Sequence, residues 1–114
     1  MSTVNLLEMV DIETVRKLAL SFPETVEQNH WGRPSFRVKK RIFATIWPAE
    51  KRAVLKLSLE DQSVFAEYNS EIFYPVNNAW GKQGWTFIEL RKVRKGMFKD
   101  ALNLAWREVA PIGL

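Results

Sequence analysis

The sequence contains no cysteine, a single histidine and no long run of apolar residues. The absence of cysteine excludes disulfide bonds, thiolate metal ligands and cysteine nucleophiles, and it is compatible with a reducing compartment. No apolar stretch approaches the ~20 residues that a membrane-spanning helix requires. Residues 1–5 lack the basic and apolar segments of a signal peptide. We therefore expect a cytoplasmic protein with no membrane association.

The residues that are present are typical of a folded domain. Of the 114 residues, 46% are hydrophobic and 26% are charged, a balance that allows a buried core and argues against disorder. A chain of this length normally forms one domain with its own core. We predict a single domain over residues 1–114 and expect it to be a monomer.

The charged residues are strongly segregated along the chain, although the net charge is only +4. Residues 33–56 contain eight lysines or arginines and one acidic residue, and residues 91–114 are also basic. The segments 1–32 and 57–90 are acidic instead. A basic block attracts polyanions, but the same charges can simply keep a surface hydrated. Both interpretations of the basic blocks stay open at this point.

Three segments have apolar side chains at helical spacing, bounded by capping residues or by proline: residues 11–22, 58–68 and 94–109. The middle helix is expected to turn Leu59 or Val64 inward, together with Phe65. Five further segments are predicted to be strands: residues 35–38, 41–47, 53–57, 72–76 and 85–90. The polar segment 24–30 and the glycine-containing segment 77–84 are expected to be loops.

This order of elements predicts an α+β fold. Short connections favour antiparallel neighbours, so we expect an antiparallel five-stranded sheet with the N- and C-terminal helices packed on one face. Alternation along the strands assigns an aliphatic face to the helices, formed by Ile42, Ala44, Ile46, Leu55, Leu57, Ile88 and Leu90. The opposite face is then aromatic and partly basic, and it is formed by Phe43, Trp47, Lys56, Trp85 and Phe87.

Several short motifs occur in an order that resembles the MmcQ/YjbR family. They are Leu20-Ser-Phe-Pro-Glu-Thr, Trp31-Gly-Arg-Pro-Ser-Phe-Arg-Val, Arg41-Ile-Phe-Ala-Thr, Val54-Leu-Lys-Leu, Gly84-Trp-Thr and Ala105-Trp-Arg-Glu-Val-Ala-Pro. The resemblance spans roughly residues 12–111. It implies a YjbR/CyaY-like fold with a central antiparallel sheet and flanking helices.

The resemblance also implies a function and one local difference. Members of the family are commonly described as DNA-binding proteins that use a "double wing" arrangement of β-hairpins. Many members place a glycine in the first hairpin turn, where this sequence has Lys39-Lys40-Arg41. We therefore expect a more basic and less tight turn here.

The leading functional prediction is a small, non-enzymatic DNA-binding protein with weak sequence specificity. Basic hairpins would contact backbone phosphates, because lysine and arginine form charge-assisted hydrogen bonds with them. The candidate DNA-binding residues are Arg33, Arg37, Lys39, Lys40, Arg41, Lys51, Arg52, Lys56, Lys82, Trp85, Arg91 and Lys92. The alternative for these cations is a hydrated strand edge that resists aggregation.

The five tryptophans support a second functional hypothesis. The aromatic set is Trp31, Trp47, Trp80, Trp85 and Trp106, of which Trp80 and Trp85 near Lys82 are candidates for stacking on bases if they are exposed. Core packing is the more common role of tryptophan, above all for Trp106. A protein- or small-ligand-binding domain that uses the aromatic sheet face is therefore the alternative to DNA binding.

Enzymatic function is the third possibility, and the sequence gives it little support. His30 has no second histidine or carboxylate at ligand spacing, and no nucleophile, phosphate-loop or dinucleotide motif is present. A frataxin-type fold raises iron binding through the first helix, but Arg16 and Lys17 balance its acidic residues. We expect no catalytic residues, no metal and no cofactor.

Overall fold

The computed structural model describes residues 9–114. Residues 1–8, on which the expectation of no signal peptide depends, lie outside this range. The elements in chain order are α1 (Ile12–Leu20), β1 (Thr25–His30), β2 (Arg33–Val38), β3 (Arg41–Trp47), β4 (Arg52–Lys56), α2 (Leu59–Tyr68), β5 (Phe73–Pro75), α3 (Ala79–Lys82), β6 (Trp85–Glu89) and α4 (Lys95–Val109).

The sheet has six strands in the order β1-β2-β3-β4-β6-β5, and every neighbouring pair is antiparallel. Helix α4 packs on β3 and β4, and α1 packs beside it on β1 and β3, so both terminal helices cover the same face. The predicted α+β fold is confirmed, but the predicted number of five strands is wrong. No helix among residues 9–114 is long and apolar enough to cross a membrane.

The sixth strand is β1, which occupies the segment expected to be a loop. It lies at the edge of the sheet and four of its six residues are exposed, so it lacks the apolar alternation that indicates a strand. A two-residue turn, Trp31-Gly32, joins β1 to β2. Both turn residues have positive φ, 55° and 81°, as a type I′ hairpin turn requires. The turn chemistry, rather than the strand composition, therefore makes this hairpin.

A β-bulge in β3 changes the predicted faces of the sheet. Phe36 pairs with Ala44, whereas Arg37 pairs with Ile42, so Phe43 is the additional residue on β3. The bulge reverses the alternation at this point, and Phe43 turns toward the helices and is fully buried. Ile42 lies on the opposite face instead. The assignments of Phe43 and Ile42 from strict alternation are therefore wrong.

Trp106 closes the core between α4 and the end of α1. Its indole stacks on Phe22 with a centroid distance of 6.0 Å, and its Nε1–H donates to the carbonyl oxygen of Pro23 at 3.2 Å. Phe22 in turn contacts the bulged Phe43 edge-to-face at 6.4 Å. Trp106 is thus a core residue, as its position in a periodic helix predicts.

Helix α2 fixes the segment between β5 and β6 through a buried glutamine. Leu59 and Val64 are exposed, contrary to expectation, and Gln62 is buried in their place. The Gln62 amide nitrogen lies 3.0 Å from the carbonyl oxygen of Gly81 and 3.1 Å from Oγ1 of Thr86. Gly81 also approaches the backbone of Val76 so closely that a Cβ would lie 1.8 Å from its carbonyl oxygen. These contacts hold α3 against the end of β6.

Candidate binding groove

The sheet face that the terminal helices leave uncovered carries a groove of about 480 Å³. This volume is in the range of small-molecule sites. Its lining is mostly apolar and contains four of the five tryptophans. The lining residues are His30, Trp31, Arg33, Ile42, Thr45, Trp47, Val54, Val76, Asn78, Trp80 and Trp85. The aromatic face that the sequence predicts is therefore present, and it is concave.

The groove crosses the sheet diagonally between two pairs of tryptophans. Trp31 and Trp47 lie at one end, where β1 turns into β2 and β3 ends, and Trp80 and Trp85 lie at the other. Trp47 pairs with Arg52 on β4. Four residues further along β4, Lys56 pairs with Trp85 on the next strand, β6. Strand geometry places the backbones of Trp47 and Trp85 about 16 Å apart. The two ends of the groove therefore lie on different strands of the sheet.

Trp31 is the most exposed aromatic side chain of the groove. Its exposed fraction is 89%, and its backbone has a φ of 55°, a conformation that bulky residues rarely adopt. Asparagine or aspartate is the usual choice at this position of a type I′ turn. Trp31 thus combines a disfavoured backbone with an apolar side chain in water, and its packing explains neither.

Trp80 forms the opposite wall together with Trp85. The exposed fraction of Trp80 is 57%, and its ring meets that of Trp85 edge-to-face at a centroid distance of 6.5 Å. Asn78 precedes α3, and its Oδ1 accepts a hydrogen bond from the backbone N–H of Trp80 at 2.9 Å. This wall is rigid because Gln62 and Gly81 fix the backbone behind it.

Arg33 supplies the formal charge of the groove. Apart from His30, no other described lining residue is ionisable, so among residues 9–114 the groove lining carries a positive charge and no carboxylate. The Arg33 guanidinium lies 3.7 Å from the centroid of the Trp47 ring, a cation–π contact. Within the described residues, Arg33 has no carboxylate partner. Its N–H donors can therefore bind an anion that enters the groove.

The Arg52 guanidinium is held by contacts within the protein. Its guanidinium lies 4.0 Å from the centroid of Phe87, and its Nη1 donates to the hydroxyl of Tyr74 at 3.1 Å. The Tyr74 hydroxyl donates to Glu89, and burial together with this hydrogen bond raises the pKa of Tyr74. This network stiffens the sheet next to Trp47.

The remaining predicted cations do not form one surface. The Lys39-Lys40 turn and Arg41 lie at one end of β3, where Arg41 donates to the carbonyl oxygen of Val109 at 3.4 Å. Lys51 lies at the other end, beside the segment that carries Arg91 and Lys92, because the Leu90 N–H donates to the Lys51 carbonyl oxygen. Six steps of a strand separate these ends by about 20 Å.

Several of these cations also have partners. Lys39 forms an ion pair with Glu24 at 3.1 Å, and the Lys56 amine lies 4.0 Å from Glu108. Arg37 donates to Oγ of Ser35 at 3.3 Å and lies beside His30. Lys82 is exposed on α3, and in the sequence it lies between Trp80 and Trp85. Of the predicted site residues, the groove therefore unites only Arg33 and Trp85 in its lining.

The acidic side chains of α1 are occupied by local contacts. Asp11 caps the helix by accepting from the Thr14 N–H at 2.8 Å. Hydrogen bonds from the side chain and the backbone of Thr14 lower the pKa of Asp11. Arg16 binds both Glu13 and Glu27. Among residues 9–114, no three histidine or acidic side chains lie close enough together to hold a metal ion.

Nine of the eleven lining residues, Trp31 and Asn78 among them, were not among the predicted DNA-binding residues. The Trp-Gly pair in a hairpin turn was a usable signal for Trp31, because a turn exposes its central side chains. Asn78 gave no signal, since its role depends on a loop that approaches the sheet only in the folded chain.

Comparisons with known proteins agree with this fold. The family model described as YjbR matches residues 20–108. A crystal structure of the Deinococcus radiodurans protein DR2400, which has a DUF419 domain, is similar to this chain with a TM-score of 0.80. The sequence identity is 18%, and the match covers 93% of this chain and 83% of that one, so the likeness concerns the fold alone. No curated protein matches the sequence. Since the family model covers most of its length, the chain belongs to the YjbR family.

Proposed function

We propose that this domain is a non-enzymatic module that binds single-stranded nucleic acid in the aromatic groove. Bases would stack on the exposed tryptophans, and Arg33 would contact a backbone phosphate. The observation that carries the proposal is a groove whose lining, within residues 9–114, contains four tryptophans, one arginine and no carboxylate. Aromatic platforms beside positive charge are how proteins bind single strands without reading their sequence.

The length of the groove favours a strand over a single small ligand. The backbones of Trp47 and Trp85 are about 16 Å apart by strand geometry, a separation that suits a ligand with several successive rings. A single-stranded oligonucleotide presents successive flat bases, and every base has a face that can stack. It also carries the negative charge that Arg33 favours.

The same features argue against the basic hairpins as the main contact surface. The cations lie in groups at opposite ends of β3, and Lys39 and Lys56 are engaged with carboxylates. In duplex DNA the bases are stacked on one another, so exposed tryptophans would have no partner there. We expect weak binding with a Kd on the order of 10⁻⁴ to 10⁻⁶ M for contacts that do not depend on sequence.

Fluorescence anisotropy with labelled oligothymidylate of about ten nucleotides tests the proposal. The Trp31→Ala/Trp80→Ala variant should lose binding, because stacking contributes roughly 1–3 kcal/mol per base. Leu59→Ala is the control, since it removes an exposed apolar side chain that does not line the groove. Wild-type affinity in the folded double variant would refute the proposal.

Duplex DNA binding through phosphates stays a second candidate, and one observation favours it. Lys51, Arg91 and Lys92 are exposed and lie close together at one end of the sheet. Their replacement by glutamine should reduce duplex binding at low salt and leave the single-strand affinity of the groove nearly unchanged. We also continue to predict a double-wing arrangement of the hairpins, a monomeric state and a cytoplasmic location.

A further inference from the structure

Asn78 is the polar side chain at the Trp80–Trp85 end of the groove. We infer that Asn78 is a specificity-determining residue, whose amide group donates hydrogen bonds to the acceptor edge of the base that stacks beside Trp80. The inference rests on the proposed function, since it concerns a base held in the same groove. Stacking alone does not distinguish one base from another, whereas a hydrogen bond from Asn78 would favour some bases over others.

The hydrogen bonds around Asn78 determine which side of its amide is available. The backbone N–H of Trp80 is a donor, so the amide must present its oxygen to it, at 2.9 Å. The amide nitrogen therefore points away from this contact, and within the described residues it has no hydrogen-bond partner. Asn78 is exposed and lines the groove, so its two N–H donors are open to solvent and accessible to a ligand there.

The backbone of Asn78 is consistent with a role beyond the turn itself. Its φ of 85° and ψ of −166° lie in a region that is essentially restricted to glycine. A glycine would adopt this conformation without strain but would offer no side chain. Strained residues often occur at binding sites. Of the six non-glycine residues with positive φ among residues 9–114, Trp31 and Asn78 line the groove and the other four lie in turns elsewhere.

The chemistry of an amide donor defines the preferred ligand. A base edge with carbonyl acceptors, as in thymine or uracil, can accept from the Asn78 amide nitrogen. A ring of the same shape without acceptors can only stack. Sites with a few fixed polar groups in an aromatic lining commonly obtain their specificity in this way.

The test compares oligothymidylate with an oligonucleotide in which difluorotoluene, an apolar isostere, replaces thymine. Wild-type protein should prefer the thymine strand by about 2- to 10-fold, the range of a net hydrogen bond. Asn78→Asp should abolish this preference, because a carboxylate still caps Trp80 but has no N–H to donate. Asn78→Gly, which relieves the backbone, should abolish it as well. The ratio of the two affinities is the readout, so a general repulsion by the new charge cancels.

The possible results separate the inference from the proposed function. If Asn78→Asp keeps the wild-type preference, or if the wild type shows none while its binding still requires Trp80, the inference about Asn78 is overturned and the stacking groove stands. If binding of both strands survives Trp80→Ala unchanged, the proposed function fails, and Asn78 has no base to recognise. A preference that Asn78→Asp abolishes without loss of thermal stability supports the inference.

Discussion

The two hairpin turns at either end of β2 have the same backbone and opposite side-chain chemistry. Trp31-Gly32 and Lys39-Lys40 are both two-residue turns with positive φ at each position, 55° and 81° in the first and 49° and 71° in the second. The first presents a tryptophan to the groove. The second presents two lysines to water, and one of them is paired with Glu24. The lysine turn is therefore tight, as the short Lys39-Lys40 connection predicts, and it is not looser as the difference from the family implied.

Composition and geometry favour different surfaces of this protein as the binding site. The lysine turn attracts attention in the sequence because its charges are consecutive. The tryptophan turn has the geometry of a binding site, since it adjoins a concave surface and a cation without a carboxylate partner among the described residues. In both turns a bulky residue occupies a conformation that suits glycine or asparagine. Only for the Trp31-Gly32 turn does a neighbouring groove explain why a bulky residue is present.

The largest expected difference between the turns is in affinity for a single strand. Trp31→Ala should weaken oligothymidylate binding by about 5- to 150-fold, which corresponds to roughly 1–3 kcal/mol for one stacked base. Lys39→Ala/Lys40→Ala should change the affinity by less than about 3-fold at 0.15 M salt, because exposed charges are screened there. Titrations of both variants by anisotropy make the comparison. A greater loss of affinity in the lysine variant would show that the basic hairpin, and not the groove, is the main contact surface.

The salt dependence of binding should separate Arg33 from the lysines of the second turn. Arg33→Gln should flatten the plot of log affinity against log salt by about 0.7, the value for one phosphate contact with a single strand. Lys40→Gln should leave the slope within error, since Lys40 lies at the opposite end of β2. Titrations between 50 and 300 mM salt measure both slopes. Equal slopes for wild type and Arg33→Gln would remove Arg33 from the phosphate contacts.

The backbone strain of both turns predicts stabilising substitutions. Trp31→Asn and Lys40→Gly should each raise the free energy of unfolding by about 0.5–1 kcal/mol, because asparagine and glycine tolerate positive φ. Only Trp31→Asn should also reduce binding. Urea denaturation measures the stability of each variant. A loss of stability in Trp31→Asn would mean that Trp31 contributes to packing and was not retained for a ligand.

The sequence predicted most of the fold and little of the groove, for physical reasons that particular residues illustrate. Among residues 9–114, three of the four helices and five of the six strands were predicted from capping residues, prolines and periodic apolar positions, whereas the short helix α3 lies in segment 77–84, which was wrongly expected to be a loop. The edge strand β1 has no apolar alternation to detect, and the bulge that exchanges Phe43 with Ile42 has no local signature. The groove depends on side chains more than 40 residues apart, such as Trp31 and Asn78, that only the sheet order brings together. Such a surface is a property of the assembled sheet.

The smallest expected effect concerns the ion pair of the lysine turn. Lys39→Ala removes the contact with Glu24, in which both side chains are about half exposed, so the free energy of unfolding should fall by only about 0.2–1 kcal/mol. The difference should shrink further at high salt because the charges are screened. Urea denaturation at 0.05 and 1 M salt measures it, with Lys40→Ala as the unpaired control from the same turn. A larger loss that salt does not reduce would show that Lys39 holds the hairpin through its packed stem. The lysine turn would then be a structural element, and the contrast with the exposed Trp31 would be sharper.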